Sequence, residues 1–149
     1  MNLVDQHFWL FCGVFCGVFG ALHIRRRLRR KADGVQFETD EVDRFAFGYG
    51  AWILLPCLGL WLLQLTTPTR GPVEYWRWPD TQRDLAFGIQ LFVWIALLWW
   101  VWFRQGADTL SLYFGDGLGA PKVIWNPISI RLFSVVAVVG GALVLIAHA

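Results

Sequence analysis

Along the chain, long unbroken apolar runs alternate with short polar stretches, and four runs approach the length of a bilayer crossing: Phe8 to Ile24, Phe45 to Leu65, Leu85 to Phe103 and Ile128 to Ala147. About 20 apolar residues in helical form span a hydrocarbon core, so the pattern predicts transmembrane helices over about 7–28, 44–65, 83–104 and 127–148. Strands of a membrane barrel alternate apolar and polar positions, whereas "WIALLWWVWF" and "LFSVVAVVGGALVLIA" are apolar on every side. The expected fold is therefore an all-α membrane protein, a four-transmembrane-helix bundle forming a single integral membrane domain over 1–149.

Composition agrees with this solvent. Of 149 residues 56% are hydrophobic, ten are Trp, and the mean hydropathy is positive. The first run differs from a secretory signal because its charges follow the apolar segment and no small-x-small cleavage pattern precedes them, so it is expected to stay as an anchor.

Charge adds a direction. The segment from Arg25 to Arg44 carries seven Lys/Arg, and the N-terminus before it carries none. Placing that loop in the cytoplasm puts ten basic residues inside against three outside, with both termini on the outer side of a bacterial-type inner (plasma) membrane. Arg25, Arg26, Arg27, Arg29, Arg30 and Lys31 admit two readings: a topology signal, or a patch for anionic lipids at the cytoplasmic face. The acidic Asp40, Glu41 and Asp43 fall where the second helix begins and suit its positive end.

Local signals refine the elements. Asp5 is a candidate cap for the first helix, Gly34 its stop, Asp80 a cap for the third helix and Gly106 its stop. Pro56 predicts a kink in the second span. The Tyr75, Trp76, Arg77 and Trp78 cluster suits the outer headgroup level, and Trp99, Trp100 and Trp102 suit the inner one. Asn126 and Pro127 form a cap and first turn for the fourth helix, from which Arg131 can snorkel to the surface. In the third connection, Ala107, Leu110, Tyr113 and Phe114 share one face of a short helix, which is expected to lie along the inner interface. The turn after it carries Asp116, Gly117, Gly119 and Lys122, a candidate binding loop for an anion that lacks the strand and the Gly-Lys-Ser/Thr ending of a P-loop.

Little chemistry is written elsewhere. The tetrad Phe-Cys-Gly-Val occurs twice from Phe11, placing Cys12 and Cys16 four residues apart, too far for a bridge on a regular α-helix. Two thiols with only Cys57 beyond them fall short of a soft-metal site, and an outer loop without cysteine argues against a thiol oxidoreductase. Gly13, Gly17 and Gly20 instead carry the small-residue spacing of a helix-packing seam. His7 and His148 at the outer helix ends, and His23 at the inner end, read as interfacial anchors; whether His7 and His148 share a ligand is left open. Spans two and three hold no ionisable residue, unlike ion-coupled transporters, leaving Gln90, Ser129 and Ser134 as polar groups.

The expected function is a structural or binding role in the inner membrane, as a homo-oligomer or as a subunit of a larger complex. The alternatives are a small channel or transporter formed by oligomerisation, lined by Gln90, Ser134 and the Pro56 kink, and a membrane enzyme or haem- or metal-binding subunit. No catalytic residue, metal or cofactor is predicted. The expected partners are the bilayer, anionic lipids and other membrane subunits or further copies of the chain, with no nucleic acid.

Overall fold

A computed structural model of the chain describes residues 3–32, 38–67, 77–118, 121 and 123–148. The described residues are all-α, and four helices are long and apolar enough to cross a membrane: Phe8–Arg30, Thr39–Leu65, Asp80–Phe103 and Pro127–Val144. This is consistent with a polytopic membrane protein. The chain packs as two compact units, Met1–Leu91 and Phe92–Ala149, the division falling within the third long helix.

In the first unit, α1 (Leu3–Gln6) ends at His7, whose φ of −114° and ψ of 18° interrupt the helix, and α2 (Phe8–Cys12) starts after it. Asp5 thus sits inside α1, and His7 takes the capping position expected for it, its carbonyl accepting from the Phe11 N–H at 2.9 Å. The doubled tetrad is not regular α-helix. From Gly13 to Phe19 the ladder widens to a π-helix, so that the Gly20 N–H reaches back to the Phe15 carbonyl, before α3 (Gly20–Ala32) resumes. Glycine weakens an α-helix by about 1 kcal/mol relative to alanine; Gly13 and Gly20 fall where the ladder changes, and Gly17 lies within the π stretch.

The second long helix, α4 (Thr39–Leu65), starts five residues before the expected boundary. Its first turn includes Asp40 and Glu41, whose charges suit the helix N-terminus, and the residue before it, Glu38, is extended. It runs through Pro56 and closes with Thr66 and Thr67, whose hydroxyls each donate to the Leu63 carbonyl at 2.8 Å, one of the orphan acceptors at a helix end. The third long helix, α5 (Asp80–Phe103), is capped by the Pro79 carbonyl, which accepts from Arg83 N–H at 2.9 Å. Asp80 is therefore the first helical residue instead of the cap, and it pairs with Arg83 at 3.0 Å. Trp78 turns inward onto Leu60 and Ala86, joined by Trp9, Leu63 and Ile89, where a headgroup-level ring was expected. Gly34, Tyr75 and Trp76 lie outside the described residues.

The second unit begins within α5. The residue that turns the chain after Phe103 is Gln105, at φ 56°, and not Gly106. Gly106 opens α6 (Gly106–Leu110), which passes into a second π-helical stretch, Ser111–Gly117, closed by the Leu118 N–H on the Tyr113 carbonyl at 2.9 Å. The last helix is α7 (Pro127–His148). Asn126 caps it as a polar N-terminal residue should: its Oδ1 accepts from the Ser129 N–H at 2.8 Å. The core of this unit is Val101, Ala107 and Ile130, with Leu97, Trp100, Leu110 and Trp125 against it.

Candidate functional site

The contacts between the first two long helices run in one antiparallel register. Residue numbers rise on one helix as they fall on the other: Gln64 Nε2 donates to the Asp5 carbonyl at 2.6 Å, and Trp61 Nε1 donates to His7 Nδ1 at 3.1 Å. Gly13 follows against Cys57 and Leu54, then Gly17 against Gly50 and Leu54, then Ala21 against Gly50. The series ends where Arg25 and Arg29 grip Asp43. The pair is thus an α-hairpin joined along its whole length.

Its middle leaves no room for side chains. A Cβ added at Gly17 would stand 3.0 Å from the Gly50 carbonyl oxygen, and one at Gly50 would stand 3.2 Å from the Gly17 carbonyl oxygen. At Gly13 it would meet the Cys57 Cβ at 2.9 Å, and at Gly20 the Tyr49 ring at 3.1 Å. Backbone against backbone is the close approach that small residues permit between membrane helices, where dispersion and not the hydrophobic effect holds helices together. The partner of this glycine face is the chain's own α4, so it is not an open surface for another subunit.

The Arg-bearing end is a fork. The Arg25 Nε and Nη2 donate to the two Asp43 carboxylate oxygens at 2.8 Å each, and Arg29 donates to the same two oxygens, its Nε at 3.0 Å and its Nη2 closer. Two guanidiniums on one carboxylate leave the fork with one net positive charge. Below it Ile24, Leu28, Val42 and Ala46 are buried. Arg26, Arg27 and Arg30 are exposed on α3; Lys31 belongs to the same helix. Sequence reasoning grouped these six residues by charge alone and missed that helical spacing sends Arg25 and Arg29 to Asp43. Their four-residue separation was the available signal.

Above the glycines, Gln64 is buried at 3% exposure and its Oε1 has no protein partner, while its amide holds α1. His7 accepts from Trp61. His23 is exposed, and the His148 side chain lies outside the described residues. The three cysteines are free thiols: Cys12 and Cys57 are half-buried and Cys16 is exposed. Among the described residues no group of three or more His, Cys, Asp or Glu is arranged to hold a metal ion.

The third connection differs from its expectation. The face of Ala107, Leu110, Tyr113 and Phe114 does not lie free for lipid: Ala107 and Tyr113 are buried, Leu110 packs on the Val101–Ile130 core, and Phe114 stacks on Trp125 with centroids 4.7 Å apart. Gly106 is required there because a Cβ would come within 2.8 Å of the Trp100 carbonyl oxygen as well as its ring. Arg131 reaches Asp108 of α6 at 3.3 Å instead of only snorkelling outward. In the candidate binding loop, the backbone of Asp116 and Gly117 ends the second π stretch, the Asp116 side chain is not described, and Gly119 and Lys122 lie outside the described residues. Of the three tryptophans expected at the inner boundary, Trp100 packs onto the core while Trp99 and Trp102 are exposed, Trp99 beneath the Arg104 guanidinium at 5.5 Å.

Of the polar groups in the spans, Gln90 is half-buried on α5, and the two serines are bound locally. Ser134 Oγ donates to the Arg131 carbonyl at 2.7 Å, and Ser129 belongs to the Asn126 cap. No protein-family model, curated protein or solved structure matches this sequence.

Proposed function

We propose that the chain is a small inner-membrane protein with a structural or binding role, working as a homo-oligomer or as a subunit of a larger membrane complex, with both termini on the outer side. The orientation rests on the excess of basic residues in two of the loops.

The observation that carries the reading is the outer face of α7. A Cβ at Gly140 would meet nothing within 4 Å, and the glycine opens on a face shared with Phe133, Val136 and Leu143, all more than half exposed. A small residue facing outward between large apolar ones offers the notch into which a neighbouring membrane helix fits. The seam for a partner is therefore assigned to Gly140, and Gly13, Gly17 and Gly20 serve the chain's own hairpin. Of the residues named for a channel, Ser134 donates its hydroxyl to its own helix, which leaves Gln90 as the polar side chain for that reading.

The test is the mass of the protein solubilised in mild detergent, alone and in native complexes. The account expects a particle larger than one chain, reduced by Gly140→Leu while helix content is unchanged. A monomer that also captures no membrane protein from its native membrane contradicts it.

A further inference from the structure

We infer that the hairpin binds one anionic phospholipid, with an acyl chain lying along a groove between α3 and α4 and the headgroup at the Arg25–Arg29–Asp43 fork. The inference rests on the membrane reading and not on the oligomer reading.

The groove encloses about 690 Å³, within the range of small-molecule sites, and is open along one side. Its floor is small because the helices meet there: Ala21, Ala46 and Gly50 line it. One wall is Val18 and Leu22, the other Phe47, Ala51 and Leu55. Among the described residues, the charged groups lining it are Arg25 and Asp43, both at one end. Phe47 is 79% exposed and Leu55 65%, so the far wall stands without cover.

Length and charge choose the occupant. The stretch of α4 from Asp43 to Leu55 rises about 18 Å at the helical rate, close to half of a roughly 30 Å hydrocarbon core. A groove that starts at charged, headgroup-level residues and ends near mid-membrane matches one leaflet, hence one lipid tail. The mouth selects the headgroup: two guanidiniums share one carboxylate, and Arg26, exposed on α3, follows Leu22 by one turn. Arg44 is exposed beside the fork. Planar guanidiniums with donors left over from Asp43 suit phosphate oxygens.

The experiment takes the full chain from vesicles of equimolar phosphatidylglycerol and phosphatidylcholine into native mass spectrometry. One retained lipid per chain is expected, with phosphatidylglycerol favoured about fivefold for the one net basic residue of the fork. Ala51→Trp fills the groove and lowers retention of both lipids. Phe47→Ala, at a side chain too exposed to support the fold, lowers it as well and serves if Ala51→Trp misfolds. Arg25→Gln combined with Arg29→Gln keeps a lipid but loses the preference. Equal retention of the two lipids by the unaltered chain overturns the proposal. So does phosphatidylglycerol retention that survives Phe47→Ala, or a photo-crosslinker at Phe47 that captures a second protein in place of lipid.

Discussion

The two units use glycine to opposite ends. In the first, Gly17 and Gly50 bring two backbones together, each within about 3 Å of where the other's Cβ would stand. In the second, glycine makes room for an indole: Gly141 receives the Trp94 ring, with Cη2 2.8 Å from the would-be Cβ, and Gly106 receives Trp100. The first arrangement is intolerant because neither backbone can withdraw without parting the helices. The Trp94 ring is a side chain with other rotamers, whereas at Gly106 the Trp100 backbone carbonyl stands beside the ring. The same residue type therefore marks a rigid contact where Gly17 meets Gly50 and a fitted but adjustable one at Gly141.

The largest effect that tests this contrast is Gly17→Leu. It forces α3 and α4 apart and is expected to cost about 3 kcal/mol in reversible unfolding from detergent micelles, the upper end of ordinary overpacking. Gly48→Leu, where a Cβ meets nothing within 4 Å, serves as the matched control, with a change within about 0.5 kcal/mol. Equal losses at both positions would break the comparison.

Next comes the second unit. Gly106→Ala is expected to cost about 2 kcal/mol because a carbonyl stands in the way as well as a ring. In Gly141→Ala the nearest atoms to the new Cβ belong to the Trp94 ring, and the cost is expected to be about 1 kcal/mol, most of which disappears in the Trp94→Leu background. A double-mutant cycle reads the rescue. Its absence would mean that Gly141 is rigidly packed after all.

Asn126→Ala removes the cap of α7 and should lose about 1 kcal/mol, measured by the same unfolding curve, with Asn126→Ser recovering most of it. The smallest effect belongs to Asp43→Asn. Its pairs with Arg25 and Arg29 are partly solvent-exposed, so a lower thermal midpoint is expected at low salt and is expected to vanish at high salt.

These contrasts also explain how much could be read in advance. The four long helices were legible because burial in lipid requires unbroken apolar length, and α7 begins and ends at its expected residues for the further reason that Asn126 and Pro127 are local signals. Glycine spacing on the first helix was visible, but its partner was not. Nothing in Gly13 and Gly17 distinguishes Gly50 of the same chain from a glycine of another chain, because the contact depends on the register of the hairpin. The π turn over the tetrad and the inward Trp78 escaped for the same reason: each lies in contact with an element distant in sequence. Arg25, Arg29 and Asp43 were read as a charge run and an acidic helix start, and only the hairpin joins them. Tyr113 and Phe114 were assigned to lipid because an apolar face looks alike whether it meets a bilayer or Trp125.

The register of the hairpin is the central claim, and a single engineered thiol tests it most directly. In a chain carrying Cys12→Ser and Cys16→Ser, Gly13→Cys would place a new Cβ 2.9 Å from that of the native Cys57, so the helices must part by about 0.6 Å to reach the roughly 3.5 Å at which disulfides begin. Mild oxidation in membranes is expected to close a bridge within one chain, seen as a monomer with faster non-reducing migration and an intact mass lower by two hydrogens. Free thiols after oxidation, or a ladder of disulfide-linked dimers in place of the closed monomer, would contradict the account.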